Sequence, residues 1–460
     1  MNAIWIILDS LSFDATPFAE GGPNTMPQLS ALSKEEGICF TQAYAPGPTS
    51  PSSHSSFFTG ELPSVTGMHE ANPYFTEDIE TIAHKLSDME RYAISSNPFI
   101  FNGLCDDFDI IDDLCTRGFV LFDDASDPIT EGAQRYAESK FKKYMDFVFN
   151  NGKPVRSLLN GINYKLYRKR RDGDLPKDAP LDSEAHQYAK TMSKRIRQFQ
   201  ESTSSESFIV ANFMDVHAPL DASEEALQKF ASGYSRAELP IGIGGQQIHK
   251  KTQAGDTKIG ERMYDLYKAA IWDLDRTVTP LIKEAVDNEA FVVVTADHGN
   301  WFQRETELDE QRIHVPLILF APDEPARTVN KTVNLRSLPR TTMEVLYDTN
   351  GGFAGVDLTS IEKNCISVTE LIHYPDAPGS PVQPFGRDDQ AVQYDLAVIK
   401  GDSRVDMVNG EYRTLRDSGS TGELKEKIRE LRSREIRFES VNEAADTTKE
   451  DRLRQLGYLE

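Results

Sequence analysis

Two runs, Ile4-Trp5-Ile6-Ile7-Leu8 and Phe291-Val292-Val293-Val294, are apolar at every position and no longer than a strand. A strand without a polar face must be covered on both sides, as in a parallel sheet enclosed by helices. Strand-like stretches at 2–8, 38–44, 92–95, 108–111, 208–214, 290–295 and 315–320 alternate with helical ones at 27–36, 53–59, 79–89, 130–149, 183–200, 261–288 and 338–347. This alternation predicts an α/β fold, a mostly parallel sheet flanked by helices, up to about residue 350. After Pro375 the pattern becomes a small antiparallel meander at 392–399, 405–408 and 412–415, followed by a charged helix at 423–434. The expected division is a main α/β domain at 1–375, with a basic, Gly/Pro-punctuated insertion at about 150–182, and a small C-terminal α+β subdomain at 376–460.

The chain has 460 residues, enough for a large core, and a net charge of −23. Such an acidic balance argues against general nucleic-acid binding, which needs a basic surface. The one basic run, Lys165 to Arg171, reads as a solvated face or as an attractor for an anionic substrate or partner. No apolar run approaches the roughly 20 residues of a membrane helix, so no integral membrane segment is expected. The N-terminus leads straight into a strand without a leader pattern, and Cys39, Cys105, Cys115 and Cys365 form neither a disulfide framework nor a zinc spacing. A cytoplasmic protein is the expectation.

The chemistry concentrates around Pro46-Gly47-Pro48-Thr49-Ser50-Pro51-Ser52-Ser53-His54. Proline and glycine forbid a helix up to about Pro51, and Ser52 or Ser53 is placed to cap one beyond it. A hydroxyl just before a helix N-terminus sits where amide N–H groups and the helix dipole favour an anion, which suits a nucleophile for a phosphate or sulfate ester. Asp9, Asp297 and His298 follow predicted strands, and in a parallel sheet strand ends share one edge. Two carboxylates and an imidazole suit one divalent metal ion, with Zn²⁺ or Mn²⁺ favoured over Ca²⁺ or Mg²⁺. A hydroxyl beside such an ion becomes a nucleophile. His217 and His314 also flank strands, where they would bind the substrate's oxygens or protonate the leaving group. Alternatively Asp215, His217 and His314 hold a second metal ion. His54 orders the helix start or touches substrate. His69, His84, His186, His249 and His373 read as ordinary surface or core residues.

These motifs together resemble the sulfatase family of the alkaline-phosphatase superfamily. The first strand with Asp9-Ser10-Leu11 and Asp14, Thr25-Met26-Pro27-Gln28-Leu29, Gly37 to Ala45, and Phe57-Phe58-Thr59-Gly60 are each similar to family segments. So are Met214-Asp215-Val216-His217-Ala218-Pro219, Ala296-Asp297-His298-Gly299, His314-Val315-Pro316-Leu317-Ile318 and the closing Arg452 to Tyr458. The resemblance implies an alkaline-phosphatase-like sheet, a metal held by Asp9, Ser50, Asp297 and His298, and His217 as a substrate ligand. The nucleophile stretch departs from the family pattern. Sulfatases place Cys or Ser, then x-Pro-x-Arg, and oxidise the first residue to formylglycine. Counting back from Thr59-Gly60 puts the nucleophile at Ser50 and the arginine position at His54, with Pro51 one place early. Thr49 is the fallback nucleophile. Ser10 stands where sulfatases often carry a second Asp, and His298 where they often carry Asn. The set therefore looks more like the phospho-transferring branch, which uses an unmodified hydroxyl.

The leading expectation is a metal-dependent hydrolase or transferase acting on a small-molecule or carbohydrate-linked phosphate ester through Ser50, with His54, His217, His314 and Thr49 around the substrate. A sulfuric ester hydrolase is the alternative. A non-catalytic member that binds an anion or a carbohydrate is the third.

Overall fold

The computed structural model describes residues 1–114, 125, 148–149, 152–171, 187–373 and 393–433, except 70–71, 76–78, 98, 245–247, 249–250, 252–254, 257, 301, 303–305 and 307. Of residues 163–171 the helical backbone alone is described. The helix expected at 130–149, save Val148 and Phe149, and the closing motif at 452–458 lie outside the described residues, as do His186 and His249.

Among the described residues twelve strands form two sheets. The larger contains β1 (Ala3–Leu8), β2 (Ile38–Tyr44), β3 (Glu90–Ser95), β4 (Ile110–Asp113), β5 (Ser207–Phe213), β6 (Phe291–Thr295), β7 (Leu317–Phe320) and β8 (Arg327–Asn334), in the order β4-β3-β5-β1-β6-β7-β2-β8. Every pairing is parallel except those of β7, which runs antiparallel to β6 and β2. β1 is central, with Leu8 opposite Phe213 of β5 and Ile7 opposite Thr295 of β6. This register brings the residues that follow three strands to one edge.

All six residues of β1 are buried, as a strand covered on both faces requires. On one side lie α1 (Pro27–Glu36) and α4 (Gln187–Ser202), each packed on the long α5 (Ile259–Asp287). On the other, α2 (Ser50–Thr59) packs on α6 (Leu338–Tyr347). Trp5 makes edge contacts with Phe57, Phe58 and Phe208, and its indole N–H donates to Thr342 on α6 at 3.2 Å. Burying rings of this size gives on the order of 2–3 kcal/mol each, so the core clamps α2 against β1.

The small sheet has the order β12-β11-β10-β9, formed by β9 (Ser367–His373), β10 (Gln393–Lys400), β11 (Ser403–Val408) and β12 (Glu411–Arg416), all antiparallel, with α7 (Thr421–Arg432) packed on it. The expected meander is there. The expected boundary at 375–376 falls between β9 and β10, so the small sheet begins before it.

Three local expectations need correction. The helix expected at 53–59 begins at Ser50, with Thr49 as an extended N-cap and Pro51 in the first turn. Proline fits there because first-turn N–H groups have no helical partner to lose. The helix expected at 79–89 is the single turn Ile82–Lys85, capped by Thr81, which accepts from His84 N at 3.1 Å. Leu86 leaves the helical conformation (φ −90°, ψ 34°), and Met89 N donates to Leu86 O at 3.0 Å in place of a further turn. The basic insertion contains a helix, α3 (Pro154–Arg171), that its glycines and prolines concealed.

Candidate active site

α2 positions the nucleophile stretch. All ten of its residues are buried, and Gly60 ends it in a left-handed conformation (φ 76°) that a side chain would strain. Ser50 stands at its first position, where the free N–H groups and the dipole of the helix converge. Its hydroxyl donates to Asp297 Oδ2 at 2.7 Å, lies 3.3 Å from His298 Nε2, and accepts from Asn97 Nδ2 at 3.1 Å. Thr49, one residue earlier, turns elsewhere: its hydroxyl meets Ser52 Oγ at 2.9 Å. Of the two candidate nucleophiles, the structure brings Ser50 to the carboxylates.

Asp9 leaves the end of β1 and accepts from Asn97 Nδ2 at 2.7 Å, Ser10 Oγ at 3.1 Å and Asn212 Nδ2 at 3.3 Å. Asp297 leaves the end of β6 and accepts from the backbone N–H groups of Ser10 (3.0 Å) and His298 (2.9 Å). Ser10 reaches that position with φ 62°, a left-handed conformation uncommon for a residue with a side chain. Both carboxylates are fully buried. Burial and then the neighbouring Asp297 push the Asp9 carboxyl well above its ordinary range, against the amides of Asn97 and Asn212. Burial also opposes the Asp297 anion, but the Ser50 hydroxyl and the Ser10 amide donate to it, and its carboxyl lies below the ordinary range. Two buried carboxylates sharing one space in this way are stabilised together by a cation.

His298 Nδ1 donates to the Gly299 carbonyl at 2.8 Å. A carbonyl only accepts, so Nδ1 carries the proton and Nε2 keeps its lone pair towards Ser50. Burial, and then the nearby Arg312 charge, lower the imidazole pKa to about 3, so the ring is neutral and fit to ligate. One ligand atom each from Asp9, Asp297 and His298 lie within 4.8 Å of one another. Neutral imidazole plus two carboxylates is a donor set that Zn²⁺ and Mn²⁺ accept. Among the described residues this is the one such group, and Asp215, His217 and His314 do not form a second.

His54 is fully buried. Its Nδ1 donates to the Ser50 carbonyl at 2.8 Å, and its Nε2 accepts from Asn212 at 3.0 Å. Both ring nitrogens are thereby used, and His54 ties the first turn of α2 to β5. His217 lies beside the cluster, close enough for its charge to act on His298, and its Nδ1 donates to Ala218 O at 2.6 Å. His314 stands apart. Its ring stacks on Phe13 (4.1 Å) and Tyr44 (4.8 Å), and its Nε2 donates to Thr41 O at 3.0 Å. These contacts place it in packing between β2 and the segment after β1, not with the carboxylates. Asp215 accepts from Ala189 N at 3.2 Å.

The sequence reading missed Asn97 and Asn212. Asn97 follows β3 and Asn212 lies within β5, next to β1 in the sheet. Their signal was present: Asn212 interrupts an otherwise apolar strand, and Asn97 follows one at the same edge as Asp9.

The sulfatase family model matches residues 1–348, three quarters of the chain. This protein belongs to the sulfatase family. No curated protein sequence matches it. Solved structures give the same fold over nearly the whole length. Ps i-CgsB, in complex with k-i-k-neocarrahexaose, is 14% identical over 98% of this chain and 96% of its own, with a TM-score of 0.59. The phosphonate monoester hydrolase of Agrobacterium radiobacter is 12% identical over 94% and 95%, with a TM-score of 0.61. BT4656, in complex with D-glucosamine-2-N,6-O-disulfate, is 13% identical over 99% and 98%, with a TM-score of 0.56. The chain is thus a sulfatase-family hydrolase, with a mixed sheet and a small C-terminal antiparallel sheet. Among the described residues no helix is long and apolar enough to cross a membrane.

Proposed function

We propose that this sulfatase-family protein cleaves or transfers a phosphate ester, monoester or diester, through Ser50. The observation that carries the reading is the Ser50 hydroxyl itself, 2.7 Å from Asp297, 3.1 Å from the Asn97 amide and at the N-terminus of α2. Asp9, Asp297 and His298 would hold one divalent ion, which lowers the pKa of a neighbouring hydroxyl and offsets negative charge developing on the ester. The Asn97 N–H keeps a hydrogen bond to Ser50 Oγ as its proton leaves, and the α2 dipole favours the resulting anion. Ser50 Oγ forms the bond to phosphorus while the bond to the leaving oxygen breaks, and the serine proton ends on the departing alcohol. Water or an acceptor hydroxyl then takes the phosphoryl group and returns the proton to Ser50. His217, whose Nδ1 donates to Ala218 O, would meet the leaving group or the non-bridging oxygens from beside the cluster.

Phosphate is favoured over sulfate because His54 stands at the arginine position and spends both ring nitrogens on protein partners. Sulfate ester hydrolysis is the second reading. The family and the sulfated sugar bound by BT4656 support it, and they favour a carbohydrate-linked ester in either case. Turnover of aryl phosphate, bis-aryl phosphate and aryl sulfate, with intact-mass analysis of position 50, separates the two. Unmodified serine with phosphate turnover is expected, lost in Ser50→Ala. Formylglycine at position 50 with sulfate turnover overturns the first reading. No bound metal and no turnover on any ester leaves the binding protein.

A further inference from the structure

The described loop after β6 has a feature that the proposed chemistry does not use. The short helix Glu310–Ile313 passes over Gly299 so closely that a Cβ there would sit 1.8 Å from Gln311 O. Gly299 and Arg312 bind each other in both directions: Gly299 N donates to Arg312 O at 2.7 Å, and Arg312 Nη1 donates to Gly299 O at 3.0 Å. The same Gly299 carbonyl receives His298 Nδ1–H. One oxygen therefore accepts from the candidate metal-binding imidazole and from a buried guanidinium, and Arg312 is only 8% exposed.

We propose that Arg312 is a positioning residue for His298, held in place by the small C-terminal sheet. The inference rests on the metal-site reading above. The direction of the Gly299 carbonyl decides which ring nitrogen of His298 is protonated, and so where the other lone pair points. Arg312 fixes that direction with a charge-assisted hydrogen bond. The turn carrying Arg312 is clamped two residues earlier. Glu310 accepts from Arg404 Nη1 at 2.9 Å and Arg416 Nη2 at 3.1 Å, on β11 and β12, and from the Tyr44 hydroxyl on β2 at 3.1 Å. Arg404 also reaches the Leu308 carbonyl and pairs with Asp406 at 2.8 Å, so its side chain is fixed from both sides. A path of hydrogen bonds and two short backbone steps thus runs from a sheet outside the matched family segment to one ligand of the candidate metal site.

The test uses the full chain, titrated calorimetrically with Zn²⁺ and Mn²⁺, and histidine ¹⁵N NMR of the metal-free protein, with His298→Gln assigning the resonance. Arg312→Gln should weaken metal binding about 10–100-fold and replace a single Nδ1–H tautomer of His298 by a mixture. Arg312→Lys, which restores a charged donor, should recover most of the affinity. Metal binding within about 2-fold of the parent together with an unchanged tautomer in Arg312→Gln overturns the proposal. If Arg312→Gln does not fold, Arg416→Ala at the exposed end of the clamp decides it, with a smaller loss of affinity expected and an unchanged affinity overturning it. A parent protein that binds neither ion defeats the metal-site reading instead, and the tautomer comparison still decides the role of Arg312.

Discussion

The two halves of the site are built differently. Asp9 extends from the central strand and is held by Asn212, in the next strand of the same sheet, and by Asn97, just beyond the end of the strand after that. His298 sits on a loop, and its ring is fixed through Gly299, Arg312 and Glu310 by residues from the small sheet. The first half is placed by strand register, which the core fixes. The second is placed by contacts among segments distant in sequence. The sheet half should therefore respond to substitution through its chemistry, and the loop half through geometry and stability.

Asp297 joins both halves, and the largest effect is expected there. Asp297→Ala should reduce metal content and ester turnover to background, checked by elemental analysis and steady-state kinetics. Retained turnover in a metal-free sample of that variant would end the proposed mechanism. In the sheet half, Asn97→Ala removes one oriented donor to the nucleophile and should lower kcat on the order of 10²-fold with KM nearly unchanged. If metal content falls in parallel, Asn97 acts through Asp9 rather than through Ser50.

In the loop half, Gly299→Ala forces the 310–313 turn away. The expected result is metal binding about 10-fold weaker and a lower melting temperature, seen by calorimetry and thermal unfolding. Equal affinity in this variant would remove the contrast between the halves. The smallest effect concerns His314, next to the same turn. Burial lowers its pKa from 6.5 to about 4 in the folded protein. Between those values the unfolded chain takes up a proton that the folded chain does not, so stability falls as pH drops from 6.5 to 4 and this contribution levels off below. His314→Gln should flatten the slope by up to about 1.4 kcal/mol per pH unit, measured by urea unfolding across that range. An unaltered slope would show that His314 is not buried as a neutral ring.

The sequence by itself determined the sheet and the placing of two carboxylates at its edge. Apolar runs such as Ile4 to Leu8 have one stable setting, covered on both faces, and Asp9 and Asp297 follow such runs where polar groups reach the sheet's edge. The start of α2 was less legible, because Pro51 signals a break unless it falls in the first turn. That Ser50 and not Thr49 meets Asp297 follows from the turn's rotation, which the aromatic clamp on Trp5 sets. Similarly, His217 and His314 have the same local signature at strand boundaries. Only the tertiary structure separated them, because stacking on Phe13 and Tyr44 holds the His314 ring away from the carboxylates. Periodicity records whether a residue is covered. It does not record which distant segment covers it, and that choice placed Asn97, Asn212 and Arg312 around the candidate site.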